Sequence, residues 1–307
     1  MRLGIDLGGT KIEIVALAAG GQVLLRERVA TPKRDYPATI KAMRDLVAAA
    51  ESKLGTHGSL GVAIPGTLSP QTGLVKNANS TALIGHPLDK DLAEALSRPV
   101  RIANDANCFV LSEATDGAAA GREIVFGIIA GTGVGGGVCV NGRVLTGAHA
   151  IAGEWGHNPL PRPRADEVPG PPCYCGRNGC IERWCSGPAV SAQFEAKTGR
   201  AVAAHEVVAL AGAGDAVASA IIETFLDRFA RAIAHLVNIL DPDTIVIGGG
   251  LSNIDMLYRE LPRRVESYAF TPEGETRIVK NKHGDSSGVR GAAWLWREDE
   301  IASALPA

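Results

Sequence analysis

Residues 1–30, MRLGIDLGGTKIEIVALAAGGQVLLRERVA, hold the pattern that decides the fold. RLGID and KIEIVALA are short β-rich runs joined by LGGT, and QVLLRERVA continues the alternation. The segment therefore predicts a strand, a glycine turn and two more strands. A similar unit recurs over 124–147, where IVFGIIA enters GTGVGGG and VCVNGRVLTG leaves it, with Asn141-Gly142 as a hairpin turn. Two β-glycine-loop-β units, each followed by helical stretches, predict an internally duplicated chain of two related α/β domains.

Elsewhere the chain reads in longer steps. A domain boundary is expected near Asp116–Gly121, in DGAAAG. Ile222, Phe225, Leu226, Phe229, Ile233, Leu236, Val237 and Leu240 repeat at helical spacing, so Ile221–Leu240 reads as a helix that Asp241-Pro242 ends. TIVIGGGLS (244–252) reads as a buried strand entering a third glycine turn, and GVRGAAWLWRE (288–298) as a helix.

Composition excludes several classes of function. The 307 residues are 46% apolar and 21% charged, with a formal net charge of -2 and both signs interspersed. That describes a globular protein of one large or two medium domains without the basic footprint of a nucleic-acid binder. A small-molecule partner is expected. Asp6 and Glu13 interrupt the apolar N-terminus, so it does not read as a signal peptide. No window reaches the roughly 18 consecutive apolar residues of a membrane helix, and the cytoplasm is the expected compartment.

Thiols there stay reduced, which bears on Gly153–Glu182, GEWGHNPLPRPRADEVPGPPCYCGRNGCIE. Cys173, Cys175 and Cys180 follow a C-x-C-x4-C spacing with His157 upstream, and Gly176 and Gly179 let the loop curl. Three thiolates and an imidazole make a closed tetrahedral set for structural zinc. A redox pair is the rival reading, and Cys173 and Cys175 are too close for the usual C-x-x-C. Cys108, Cys139 and Cys185 stand singly and read as small buried hydrophobes.

The glycine loops invite a nucleotide reading. Gly131, Gly133 and Gly136 satisfy G-x-G-x-x-G, but the residues that follow favour a strand, whereas a dinucleotide fingerprint opens a helix. A P-loop sequence is also missing from the chain. What remains is a pair of hairpin loops, Asp6–Lys11 and Gly131–Gly137, whose amides can approach phosphate. A tight turn is the plainer reading of each loop alone; their pairing favours the ligand.

In order along the chain, DLGGTK, GTGVGGG, EWGH, CYCGRNGCIE and IVIGGGLS resemble the ROK family of sugar kinases. VKNANST, ANDANC and KHGDSSGVRGAAWLW look most similar to its fructokinase and mannokinase members. The resemblance implies a two-domain actin/hexokinase-like (ribonuclease H-like) α/β fold with ATP and sugar in the interdomain cleft. Residues 1–115 plus 290–307 would form a small domain completed by the C-terminal helix, and 116–289 a larger domain carrying the zinc loop.

The implied reaction is ATP-dependent phosphorylation of a hexose 6-hydroxyl, with D-fructose first. Glucose, mannose and N-acetylhexosamines are alternatives, as is a non-catalytic sugar-binding regulator. Asp105, after an apolar strand in RIANDANCF, would be the catalytic base, though an Asp there also suits a helix cap. A carboxyl of ordinary pKa, about 3.9, would chiefly align the attacking hydroxyl. Asn79, Asn104, Asp105, Glu154, His157 and Glu182 would bind sugar. Asp6, Gly8, Gly9, Thr10 and Lys11 would hold Mg²⁺ and phosphate; Gly131, Thr132, Gly133 and Gly135 would hold phosphate; Gly249, Gly250 and Leu251 would lie near adenine and ribose. Zinc on His157, Cys173, Cys175 and Cys180 would position the sugar-binding glutamates. Ala82 stands where many members carry an aromatic, and a homodimer is expected.

Overall fold

The computed structural model describes residues 1–78, 80–271, 274 and 276–306. Contacts divide the chain into two compact units, one of Met1–Ala120, Gly142–Ala152 and Asp285–Ala307, the other of Gly121–Asn141 and Gly153–Gly284.

In the first unit β1 (Arg2–Leu7), β2 (Lys11–Leu17) and β3 (Val23–Ala30) form an antiparallel meander. Helix α1 (Tyr36–Leu54) leads into β4 (Ser59–Ile64), then the short pair β5 (Thr67–Leu68) and β6 (Val75–Lys76). Helix α2 (Leu88–Leu96), β7 (Val100–Asn104) and α3 (Asp105–Thr115) follow. The sheet runs β3-β2-β1-β4-β7, with β4 parallel to both β1 and β7.

Alternation in β1 separates two faces. Leu3, Ile5 and Leu7 join Met43, Leu46 and Val47 of α1 in one core. Gly4 and Asp6 face α9 (Ser287–Ala293), where a Cβ on Gly4 would lie 2.1 Å from the Val289 carbonyl oxygen and one on Gly61 1.9 Å from that of Ala292. Bare backbone at these points lets α9 lie directly on the sheet. The C-terminal helix is shorter than GVRGAAWLWRE suggests and ends at Ala293. Beyond it, the Trp296 indole donates to the Leu60 carbonyl (2.7 Å) and Arg101 stacks on its ring, contacts that a continued helix would forgo.

The second unit repeats the antiparallel pairing with β8 (Ile124–Ala130) and β9 (Val134–Val140), after which the chain turns at Asn141-Gly142 into β10 (Arg143–Val144), a residue pair counted with the first unit. Short α4 (Glu182–Cys185) precedes α5 (Gly187–Thr198), α6 (Ala204–Gly212) and α7 (Ala216–Leu240). Then come β11 (Thr244–Gly248), α8 (Met256–Glu266) and β12 (Ile278–Lys280), and the strands order as β9-β8-β11-β12. Helix α7 begins five residues before Ile221, because the Asp215 side chain caps it by accepting from the Ala218 amide (2.9 Å). It ends at left-handed Asp241, before Pro242. Phe225, Phe229 and Ile233 of α7 lie in the core of this unit. No single helix among the described residues is long and apolar enough to cross a membrane.

Candidate active site and metal centre

In the first unit three parallel strands end at one edge of the sheet. Asp6 is the penultimate residue of β1, and Asn104 closes β7, paired with Ile64 of β4. The carboxyl ends of parallel strands are where open α/β sheets collect ligands. Asn104 is the N-cap of α3; its Oδ1 accepts from the Ala106 amide (2.9 Å) and its Nδ2 donates to the Gly66 carbonyl (3.3 Å). Asp105 is the first residue of α3, and its Oδ1 also accepts from the Ala106 amide (2.8 Å). The cap role that suited Asp105 in the sequence thus belongs to its neighbour.

Burial pushes the Asp6 carboxyl up to about 6, with the charges of Asp105 and Glu13 adding to the rise and Lys11 opposing it. Cys108, one turn into α3, is raised well above its usual value by burial and by these same two aspartates. Asp6 and Asp105 are therefore electrostatic neighbours, and these two carboxylates favour a cation there, while the Cys108 thiol stays protonated.

The Gly8–Lys11 turn closes with Gly8 N donating to Lys11 O (3.0 Å), while the Thr31 hydroxyl donates to Gly8 O (2.7 Å). Gly9, Thr10 and Lys11 are exposed. Beside them a cavity of about 440 Å³ is lined by Gly9, Thr31, Lys33, Thr81 and Ala82. Asn79 lies outside the described residues.

In the second unit the loop expected over Gly131–Gly137 is shorter: Gly131–Gly133 alone join β8 to β9, because Val134–Gly137 already pair with β8, and the Gly131 carbonyl accepts from the Gly187 amide (2.8 Å). A cavity of about 410 Å³ opens over it, lined by Gly131, Thr132, Gly187, His205, Gly250 and Leu251. The two glycine turns expected to bind nucleotide thus share one cavity. Gly187 and His205 were not foreseen, since they belong to helix starts without a motif.

His157, Cys173, Cys175 and Cys180 place their ligand atoms within 4.8 Å of one another. Cys175 and Cys180 sulfurs are 3.6 Å apart, and Cys173 Sγ is 3.6 Å from His157 Nδ1. Tetrahedral zinc, with bonds of about 2.3 Å to sulfur and 2.0 Å to nitrogen, sets ligand atoms about 3.5–3.8 Å apart, so the cluster fits zinc. The other ring nitrogen, Nε2, meets the Tyr174 hydroxyl (2.9 Å). Partial burial and the charges of Glu182, Cys173 and Glu154 push that phenol up to about 12. Both glutamates therefore stand within electrostatic reach of one ring. Glu154 is exposed, and Glu182 opens α4 with Oε2 accepting from the Val134 amide (3.0 Å).

A model of the ROK family matches residues 2–299. N-acetyl-D-glucosamine kinases are similar along nearly the whole chain. That of Yersinia pseudotuberculosis is 42% identical over 96% of this chain and 98% of its own, and that of Shigella boydii 40% identical over 97% and 100%. Among solved structures, a ROK hexokinase from Thermus thermophilus superposes with a TM-score of 0.85 at 32% identity, covering 96% of this chain and 97% of its own. A ROK glucokinase from Streptomyces griseus, solved with glucose and AMPPNP, has a TM-score of 0.76 at 25% identity over 97% and 99%. The chain therefore belongs to the ROK family of sugar kinases and has their actin/hexokinase-like α/β fold.

Proposed function

We propose that the protein is an ATP-dependent N-acetyl-D-glucosamine kinase that phosphorylates the 6-hydroxyl of its sugar. One observation carries this reading: end-to-end identity of 40–42% to enzymes of that name. Fructose, which the motif resemblance ranked first, gives way because those short segments carry phosphoryl-transfer and zinc chemistry shared among several sugars.

In this reading Asp105 is the catalytic base. It accepts the proton of the 6-hydroxyl as that oxygen bonds to the γ-phosphorus and the bond to the bridging oxygen of ADP breaks. Its carboxylate is anchored on the first turn of α3, so it contributes alignment, with proton transfer late in a loose transition state. Asn79, Asn104, Glu154, His157 and Glu182 hold the sugar hydroxyls. Gly8–Lys11 and Gly131–Gly135 hold phosphates, and Gly249–Leu251 the nucleoside. Mg²⁺, when bound, neutralises charge on the transferred group, and Asp6 is the side chain suited to place it. Zinc on His157, Cys173, Cys175 and Cys180 is structural. The enzyme works in the cytoplasm, where Cys173, Cys175 and Cys180 stay reduced and able to hold zinc, and it is a homodimer.

The test is kcat/KM with ATP and Mg²⁺ for N-acetylglucosamine, N-acetylmannosamine, glucose, mannose and fructose. At least tenfold preference for N-acetylglucosamine, about 1.4 kcal/mol of transition-state binding, is expected. A preference for fructose would reverse the substrate assignment, and no turnover of any sugar would favour a regulator.

A further inference from the structure

We propose that Glu182 is a positioning residue of the Gly131–Gly133 turn and the start of β9, so that the zinc segment sets the geometry of the nucleotide-phosphate site as well as that of the sugar site. This rests on reading that turn as a phosphate site.

Three contacts carry the inference. Glu182 Oε2 accepts the Val134 amide (3.0 Å), and a Cβ on Gly133 would lie 2.4 Å from the same oxygen. The carboxylate thus lies against the turn at a point where a side chain on residue 133 would have to displace it. Five residues on, the Gly187 amide donates to the Gly131 carbonyl (2.8 Å), so one short segment grips both ends of the turn. From the other flank, the Trp155 indole donates to the Gly135 carbonyl (3.0 Å).

Both flanks lead straight to the metal ligands. His157 follows Trp155 by two residues and Cys180 precedes Glu182 by two. The Ile181 amide donates to Asn158 O (2.9 Å), and Pro159 bridges Cys180, which ties the flanks together. Glycine backbone loses the most freedom on ordering, so a loop this rich in it gains affinity from being held in its binding shape beforehand. A carboxylate beside a phosphate site repels the ligand. Its presence there is explained by the hydrogen bond it accepts, and charge assistance strengthens that bond.

Calorimetric titration of zinc-loaded protein with AMPPNP and Mg²⁺, without sugar, tests this. Glu182→Ala should weaken nucleotide binding about tenfold, as expected for a lost bond to a charged acceptor. Glu182→Gln keeps an acceptor and sheds the charge, so it should stay within about twofold of wild type, while both variants raise the sugar KM. Gly133→Ala should weaken binding in the wild-type background and add little to Glu182→Ala, because its clash is with that side chain. Glu182→Ala that keeps its zinc, its melting temperature and its nucleotide affinity would overturn the proposal. If Glu182→Ala does not fold, unchanged affinity in Gly133→Ala overturns it instead. Wild type that fails to bind AMPPNP would remove the phosphate-site reading itself, a result distinct from unchanged variants.

Discussion

Asp6 on β1 and Glu13 on β2 are directly opposed in the antiparallel register, so two carboxylates share one face of the sheet. Glu13 is buried and bound by Arg26 and Arg28, each through Nε at 2.5 Å. Asp6 has no such pair of cations among the described residues, and burial with the nearby charges lifts it to about 6. Its folded pKa lies above its unfolded value of 3.8, so the folded state binds the proton more tightly. The stability from that proton is complete below about pH 4 and is lost as pH rises through about 6.

Asp6→Asn should therefore stabilise the fold at pH 7.5 by about 2–3 kcal/mol, two pKa units being worth about 2.7 kcal/mol, while abolishing kinase activity. Urea unfolding at pH 7.5 and pH 4.5 checks this. The gain should shrink to about 1 kcal/mol at the lower pH, and an equal gain at both would mean that ionisation is not its source.

Glu167 shows the opposite sign. It is buried beneath α7, where burial would raise its pKa, yet hydrogen bonds from Arg231, the Arg164 amide and Arg228 hold it at about 2. Its stabilisation is present above about pH 4.5 and lost as pH falls toward 2. Glu167→Gln leaves two buried guanidinium groups without their counter-charge and should cost about 3 kcal/mol at neutral pH. Urea unfolding would show it. A variant as stable as wild type would mean that the Arg231 bonds to the Pro161 and Arg162 carbonyls suffice.

What could be read from the sequence was what depends on local order. The β1-turn-β2-β3 run was legible because period-two alternation and glycine sit in one stretch, and the cysteine cluster because its ligands lie within eight residues, His157 apart. Contacts between distant segments were not. Gly4 and Gly61 look like weak points in strands until α9 is laid against them. Glu182 reads as a sugar ligand, and nothing near it in sequence signals a bond to Val134, 48 residues away. His205 beside the glycine loop likewise depends on how α6 packs.

The zinc cluster yields a prediction with two readouts. Burial and the neighbouring sulfurs push the Cys180 thiol up to about 12, and zinc takes thiolates, so binding releases protons and tightens as pH rises. Competition with a chromogenic chelator at pH 6.5 and pH 8 should show this. Cys175→Ser should lower the melting temperature and raise the sugar KM by about tenfold, the scale of losses when a metal site's supporting groups are disturbed. A variant that loses zinc with both values unchanged would separate the metal from sugar binding.

Asp105 gives the sharpest test of the chemistry because its neighbour already does the structural work. Asn104 caps α3 through its Oδ1, so Asp105→Asn leaves the cap in place and should change the melting temperature little. The amide cannot accept the sugar's proton, and kcat should fall by about 10²–10⁴ with the nucleotide affinity preserved. Steady-state kinetics beside AMPPNP titration separates these terms. An Asn variant that turns over at the wild-type rate would move the base elsewhere, whereas equal losses in kcat and nucleotide affinity would point to a collapsed site.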